Sequence, residues 1–260
     1  MGVFMFQLLN LSNRAWLWCL LLASPLVLAQ SWQEEIAAFQ LPAPEQGRLS
    51  KPMYLWATYY SLPVLKAKRR GYALLDRHGR IVGPRLSRRD WCRAALEGSL
   101  QVVASGRSTV FNFDGTGVAR QVNCASRYTG LPGSVARALG RSRFRRAVGR
   151  FGDGVNNYRL MPFRSMAVDP GRIPYGSVIY IPEARGVTFA WRGKRYSHDG
   201  YFFAADTGGA IKNRHVDIHI GTARHNPFSF VKSRSRPRFK AHRVWHSQLK
   251  HQMVTRHTGS

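Results

Sequence analysis

The chain has 260 residues, with 40 Lys and Arg against 13 Asp and Glu, for a formal net charge of +27. The length allows one sizeable core with room for an appended subdomain, and excludes a large multidomain assembly. A charge of this size demands polyanionic surroundings, and it makes each carboxylate worth locating.

Met1 to Arg14 reads as a mildly basic leader, followed by the apolar run Ala15–Leu28 (AWLWCLLLASPLVL). The run has the length of a signal core, and Val27-Leu28-Ala29 offers small residues for cleavage after Ala29. A spanning helix needs ~20 apolar residues, and Pro25 weakens a helix here, so an uncleaved anchor is the lesser alternative. Trp16-Leu17-Trp18 ahead of Cys19 is too bulky for a lipoprotein signal. Residues 1–29 are therefore expected to be a signal peptide and the protein to be exported, to a periplasm or cell envelope. Export removes nucleic acid as the default partner of a basic chain. The polyanions left are peptidoglycan with its stem-peptide carboxylates, other acidic envelope polymers and phospholipid. Part of the basic excess also reads simply as solvated surface. Cys92 and Cys124 are then expected to pair, as exported cysteines do.

Residues 30–51 are polar and Pro-containing and read as a linker. Met53–Tyr60 alternates as a strand. Gly71–Ile81 reads as two short strands around an Asp76–Gly79 turn. Ser87 is a plausible N-cap for a helix Arg88–Glu97 that Gly98 ends. Leu100–Ala104, Thr109–Phe113 and Val118–Cys124 are expected strands, with a turn at Asp114–Gly117. Gly130–Asn157 is rich in Gly, Arg and Ser, with one short helix at Ser134–Leu139. Its arginines 141, 143, 145, 146 and 150 suit either a solvated loop or an anion-contacting flap. Strands return at Ser165–Val168, Val178–Ile181, Thr188–Trp191, Tyr201–Ala205 and Val216–Ile220. Phe228–Val231 reads as a helical or extended turn, Phe239–Trp245 as a closing strand, and the basic tail beyond as disordered. Many short strands with little helix argue a barrel or sandwich.

Three aspartates fall in Gly/Pro-punctuated apolar segments: MAVDPGRIPYG around Asp169, AADTGGAIKNRH around Asp206 and HVDIHIG around Asp217. Carboxylates in such settings cost stability unless they are hydrogen-bonded, paired or used. Phe202–Ala205 delivers Asp206 to a Thr207-Gly208-Gly209 turn whose free amides suit a carboxylate. Strand alternation puts His215, Asp217 and His219 on one face, opposite Val216, Ile218 and Ile220. The His-x-Asp-x-His spacing also fits a metal site, but that reading is the weaker one, and neither metal nor cofactor is expected.

MAVDPGRIPYGSVIYIP, GYFFAADTGGAIKNRHVDIHIG and FKAHRVW together resemble the 3D (three-aspartate) domain, shared with the membrane-bound lytic transglycosylase A family. WATYYSLPVLKAKRRG is similar to the opening of that family. The resemblance implies a mainly β fold, a six-stranded double-psi β-barrel with a small α/β insertion between its first and later strands. Residues 52–164 would hold the first barrel strand and the disulfide-bearing insertion, 165–246 the barrel core, and 247–260 the tail. It implies cleavage of the MurNAc-β-1,4-GlcNAc bond of peptidoglycan with formation of 1,6-anhydro-MurNAc. Asp217 would be the acid/base, Asp206 its close neighbour and Asp169 a supporting member of the catalytic group. Tyr59, Tyr60, Thr207, Gly208, Lys212 and His215 would contact the glycan. The family's large second domain is mostly absent, so one groove wall is expected to be reduced to the 72–164 segment. A noncatalytic wall-binding protein is the alternative. Oligomeric state is not legible.

Overall fold

The structure is a computed structural model that describes residues 40–128 and 130–259. The expected signal peptide and the first half of the linker lie outside the described residues. No helix among the described residues is long and apolar enough to cross a membrane.

The first strand, β1 (Met53–Tyr60), is followed by β2 (Val64–Lys66), a hairpin of β3 (Tyr72–Leu75) and β4 (Ile81–Leu86), and helix α1 (Arg88–Glu97). Ser87 caps α1 by accepting the Asp90 amide at 3.1 Å, and Gly98 ends it in the left-handed region at φ 76°. Then come β5 (Ser99–Ala104), β6 (Arg107–Thr116), α2 (Gly133–Leu139) and β7 (Ser142–Arg146). The second half runs β8 (Ser165–Ala167), β9 (Val178–Tyr180), the hairpin β10 (Thr188–Trp191) and β11 (Lys194–Ser197), β12 (Tyr201–Asp206), β13 (His215–His219), β14 (Phe239–Arg243) and α3 (Ser247–Thr258).

Six strands close a barrel in the order β1-β13-β8-β12-β9-β14. β1 pairs parallel with β13 and β12 parallel with β8, and the other neighbours are antiparallel. Closure leaves no open sheet edge. Leu55, Ala57, Met166, Ile179, Phe202, Val216 and Ile218 pack in its core. Between β1 and β8 the chain builds a separate four-stranded sheet, β2-β5-β6-β7. Its core joins Leu74, Trp91, Leu100, Phe111 and Phe144. The Cys92–Cys124 disulfide, with Cα atoms 5.6 Å apart, fastens α1 to the stretch before α2.

Three expectations need correction. Val118–Cys124 forms no strand; Val122 and Cys124 are instead buried individually under α1 and the sheet. The arginine-rich stretch is no loop, since Ser142–Arg146 is the fourth strand of the second sheet, paired with β6. Arg143 is buried and donates to the carbonyls of Arg141, Ser142 and Ala119 at 3.0, 3.0 and 3.1 Å. The tail expected to be disordered is α3, which buries Leu249, Met253 and His257 on the barrel. Its buried positions recur every four residues, but two apolar side chains among basic neighbours make too weak a stripe to read from sequence.

Candidate active site

Strand register assembles the centre of the site. Asp217 on β13 lies opposite Thr58 on β1 and opposite Ala167 on β8. Ala167 is in turn opposite Asp206 on β12. Thr58, Asp217, Ala167 and Asp206 therefore form one row across four adjacent strands. With strands ~4.8 Å apart, the two aspartate backbones stand ~10 Å apart, and only the methyl of Ala167 lies between them. Residues distant in sequence meet because a closed barrel with parallel pairs brings strand ends of the same sense to one rim.

Each carboxylate is held by β1. Thr58 Oγ1 donates to Asp217 Oδ1 at 2.7 Å, and Tyr60 Oη donates to Asp206 Oδ2 at 2.8 Å. Thr58 and Tyr60 are two apart and so share a strand face. Asp206 Oδ1 also accepts the Thr207 amide at 2.8 Å, as the turn sequence led one to expect. His215 stacks on Trp56 with ring centroids 3.6 Å apart, and its Nε2 lies 2.9 Å from Thr58 Oγ1.

Both carboxyl groups are shifted toward the protonated form. Burial pushes Asp217 up to about 7 against the hydrogen bond from Thr58, and the nearby charges of Glu97 and Asp206 add to the rise. Burial likewise lifts Asp206 to about 6, with the bonds from Thr207 and Tyr60 opposing. Tyr60 is raised well above its ordinary value, first by burial and then by Asp206, so its hydroxyl stays neutral and donating. Burial keeps His215 below the usual imidazole range.

These groups line a groove enclosing about 630 Å³ between the barrel and the second sheet. The barrel supplies Thr58, Tyr59, Tyr60, Thr207, Gly208, His215 and both aspartates. The other wall is built by Leu96, Glu97, Asn112, Phe113, Leu131 and Val135. Residues of the 72–164 segment thus border the site on the side opposite the barrel. Although the chain has 40 Lys and Arg, none among the described residues lines this groove.

The third aspartate stands elsewhere. Asp169 is half-buried and lies outside the groove lining. It accepts the Asn213 amide at 2.6 Å and the Gly171 amide at 3.0 Å, and these bonds hold its carboxyl below the usual range. It therefore pins the 206–217 connection that carries both other aspartates. Asn213 sits at φ 60°, a left-handed position that Asn tolerates. Lys212 is exposed beside Asp169 and also outside the groove lining. His219 does not share the open face of His215 and Asp217: it is fully buried beside the Tyr60 ring, and burial drives it down to about 3. No three His, Cys, Asp or Glu among the described residues are arranged to hold a metal ion.

Two participants had no sequence signal. Thr58 is one threonine in an aromatic strand, and only the register against β13 gives it meaning. Glu97 looked like the ordinary end of a helix. It accepts the Ser61 amide at 2.7 Å, its own carboxyl is raised by burial, and it lies at the helix end where the dipole favours a cation.

Residues 164–226 match the 3D domain family model. Among solved structures, the fold is similar to that of the membrane-bound lytic murein transglycosylase from Agrobacterium tumefaciens. That match has a TM-score of 0.51 and 16% identity, over 86% of this chain and 85% of that one. E. coli MltA with bound chitohexaose is similar at a TM-score of 0.49 and 18% identity, over 74% of this chain and 71% of that one. No curated protein matches the sequence.

Proposed function

We propose that this 3D-domain chain is an exported lytic transglycosylase that cuts peptidoglycan glycan strands with Asp217 as its single acid/base. The observation that carries the reading is a carboxyl held protonated up to about 7 within a groove of oligosaccharide size. An ordinary aspartate, with a pKa of ~3.9, is ionised at neutral pH and has no proton to give.

The groove receives the glycan across the row of Thr58, Asp217, Ala167 and Asp206. Asp217 gives its proton to the glycosidic oxygen between MurNAc and GlcNAc, and that bond breaks. The C6 hydroxyl of the same MurNAc closes on the anomeric carbon, and its proton goes to the now ionised Asp217. A 1,6-anhydro ring is left and the acid is regenerated, so the proton balance needs no water and no second carboxylate. Intramolecular attack has the rate advantage of proximity. Asp206, tied to Tyr60, keeps negative charge beside Asp217, and Thr207, Gly208 and His215 border the sugar. The two parallel strand pairs suit a double-psi barrel, with the 72–164 segment as its insertion. Export supplies both the substrate and the oxidising setting that the disulfide needs.

The test is incubation of the purified protein with isolated sacculi, followed by mass analysis of the soluble products. Release of anhydro-muropeptides by wild type and none by Asp217→Asn is expected. Binding of sacculi with no anhydro product from wild type would establish the noncatalytic wall-binding alternative instead.

A further inference from the structure

The Thr58 hydroxyl has one proton and two claimants. Its oxygen lies 2.7 Å from Asp217 Oδ1 and 2.9 Å from His215 Nε2. The other nitrogen of the ring, His215 Nδ1, lies 3.3 Å from the Ala210 carbonyl oxygen, which can only accept. The imidazole is clamped flat against Trp56, with an interplanar angle of 4°. It cannot turn away to find other partners without losing that stack.

Donor counting permits two arrangements. With a proton on Asp217, the carboxyl donates to Thr58, Thr58 donates to His215 Nε2, and Nδ1–H donates to Ala210. With Asp217 ionised, Thr58 must donate to the carboxylate, and Nε2 then faces an oxygen whose proton points elsewhere. The pair at 2.9 Å survives only if Nε2 carries a proton.

We propose that Asp217, Thr58 and His215 form a reversing hydrogen-bond chain in which Thr58 is a positioning residue that serves both charge states of Asp217. The inference rests on Asp217 being the acid/base, because that role requires the group to be stable with and without its proton within one turnover. Thr58 swings its O–H from His215 to Asp217 when the proton leaves. His215 answers by carrying hydrogen on Nε2 in place of Nδ1, giving up the long 3.3 Å bond to the Ala210 carbonyl for the shorter one to Thr58, and releasing one proton to water and taking one back, with no net change. The titratable groups facing Asp217 are Tyr60 on β1, Asp206 on β12, Glu97 on α1 and His215 on its own strand. Asp206 and Glu97 act on Asp217 through charge, and the Tyr60 hydroxyl is given to Asp206 at 2.8 Å, so the switchable donor joined to Asp217 by hydrogen bonds is the imidazole reached through Thr58.

The experiment is nitrogen-detected NMR of the His215 ring in the unliganded protein from pH 5 to pH 9, in wild type and Thr58→Val. Wild type is expected to pass from Nδ1–H to Nε2–H with a midpoint that matches the carboxyl titration of Asp217 by carbon NMR. Thr58→Val should abolish the coupled change and move the Asp217 midpoint upward, because the ionised form loses its donor. Thr58→Ser, which keeps the hydroxyl, should restore both. A His215 ring that keeps one tautomer across the range in wild type overturns the proposal, and so does a Thr58→Val ring that still follows Asp217. These readouts need no substrate, so they stand or fall separately from the sacculus assay. If Thr58→Val does not fold, the wild-type and Thr58→Ser titrations decide alone.

Discussion

At the residue scale, the site sets acid strength against stability. A carboxyl whose folded pKa is about 7 and whose unfolded pKa is ~3.9 favours the fold while protonated. That contribution is complete below about pH 4 and is lost as pH rises through about 7. Asp217→Asn keeps an oxygen for the Thr58 hydroxyl but cannot ionise. It should lower glycan cleavage by at least ~10²-fold, the low end for a lost general acid. It should also raise the melting temperature more at pH 8 than at pH 5, by on the order of 1–3 kcal/mol in stability. Melting curves at the two pH values check this, and an equal gain at both would remove ionisation as the cause. Glu97→Gln is the complementary change. The amide oxygen can still accept the Ser61 N–H, while the charge that helps lift Asp217 is gone. The alkaline limb of the pH–rate profile, where Asp217 loses its proton, should move to lower pH with KM little changed. A profile of unaltered midpoint would count against Glu97 acting through charge.

At the element scale, two fasteners set the groove. The Asp169 carboxylate ties the β12–β13 connection through Asn213, and the disulfide ties α1 to the stretch before α2. Asp169→Ala removes two amide bonds at a half-buried carboxylate. It is expected to slow cleavage by loosening the loop between Asp206 and Asp217, while the alkaline limb set by Asp217 keeps its pH. Loss of rate with an unchanged midpoint, measured across pH, distinguishes this positioning role from a role as acid. Removing both cysteines (Cys92→Ala with Cys124→Ala) should cost about 2–4 kcal/mol of stability, the usual range for such a crosslink. Because α1 carries Leu96 and Glu97 into the groove, KM should rise in the same variant. A denaturation midpoint equal to wild type would show that the sheet core of Trp91, Phe111 and Phe144 suffices without the crosslink.

At the scale of the whole molecule, charge is segregated. The groove holds Glu97, Asp153, Asp206 and Asp217 and, among the described residues, no Lys or Arg, so the excess of Lys and Arg lies outside it. If the proposed function holds, this basic surface would attract an acidic wall polymer and let an uncharged stretch of glycan enter the groove. Arg234, Arg236 and Arg238 are exposed ahead of β14. Changing all three to Gln should weaken sacculus binding and flatten its dependence on salt, since exposed charges are screened over ~8 Å at physiological ionic strength. Sedimentation with sacculi across a salt series tests this, and binding equal to wild type at low salt would refute it. Arg143 is unsuited to that experiment. Its guanidinium is buried on three carbonyls, so Arg143→Gln should cost ~1–3 kcal/mol of stability whatever it does to binding.

The local grammar of the chain was enough for much of this. Alternation gave the positions of β1 and β13, short apolar runs between breaks gave those of β8, β9 and β12, and Ser87 and Gly98 bounded α1, because those signals depend on neighbours within a few residues. The settings of Asp206 and Asp217 were legible for the same reason: a strand delivering a carboxylate to a glycine turn, and a carboxylate alternating with core residues. Tertiary structure alone decided what closure brings together. It set Thr58 opposite Asp217, placed Ala167 between the two carboxylates, moved Asp169 out of the groove to anchor a turn, and turned His219 inward. It made a wall of the second sheet, carried Glu97 to Ser61, and drew Arg143, Arg145 and Arg146 into a strand that buries Arg143. Register across a barrel depends on partners more than a hundred residues apart, as with Thr58 and Asp217, and no local pattern in one chain encodes which strands will be neighbours.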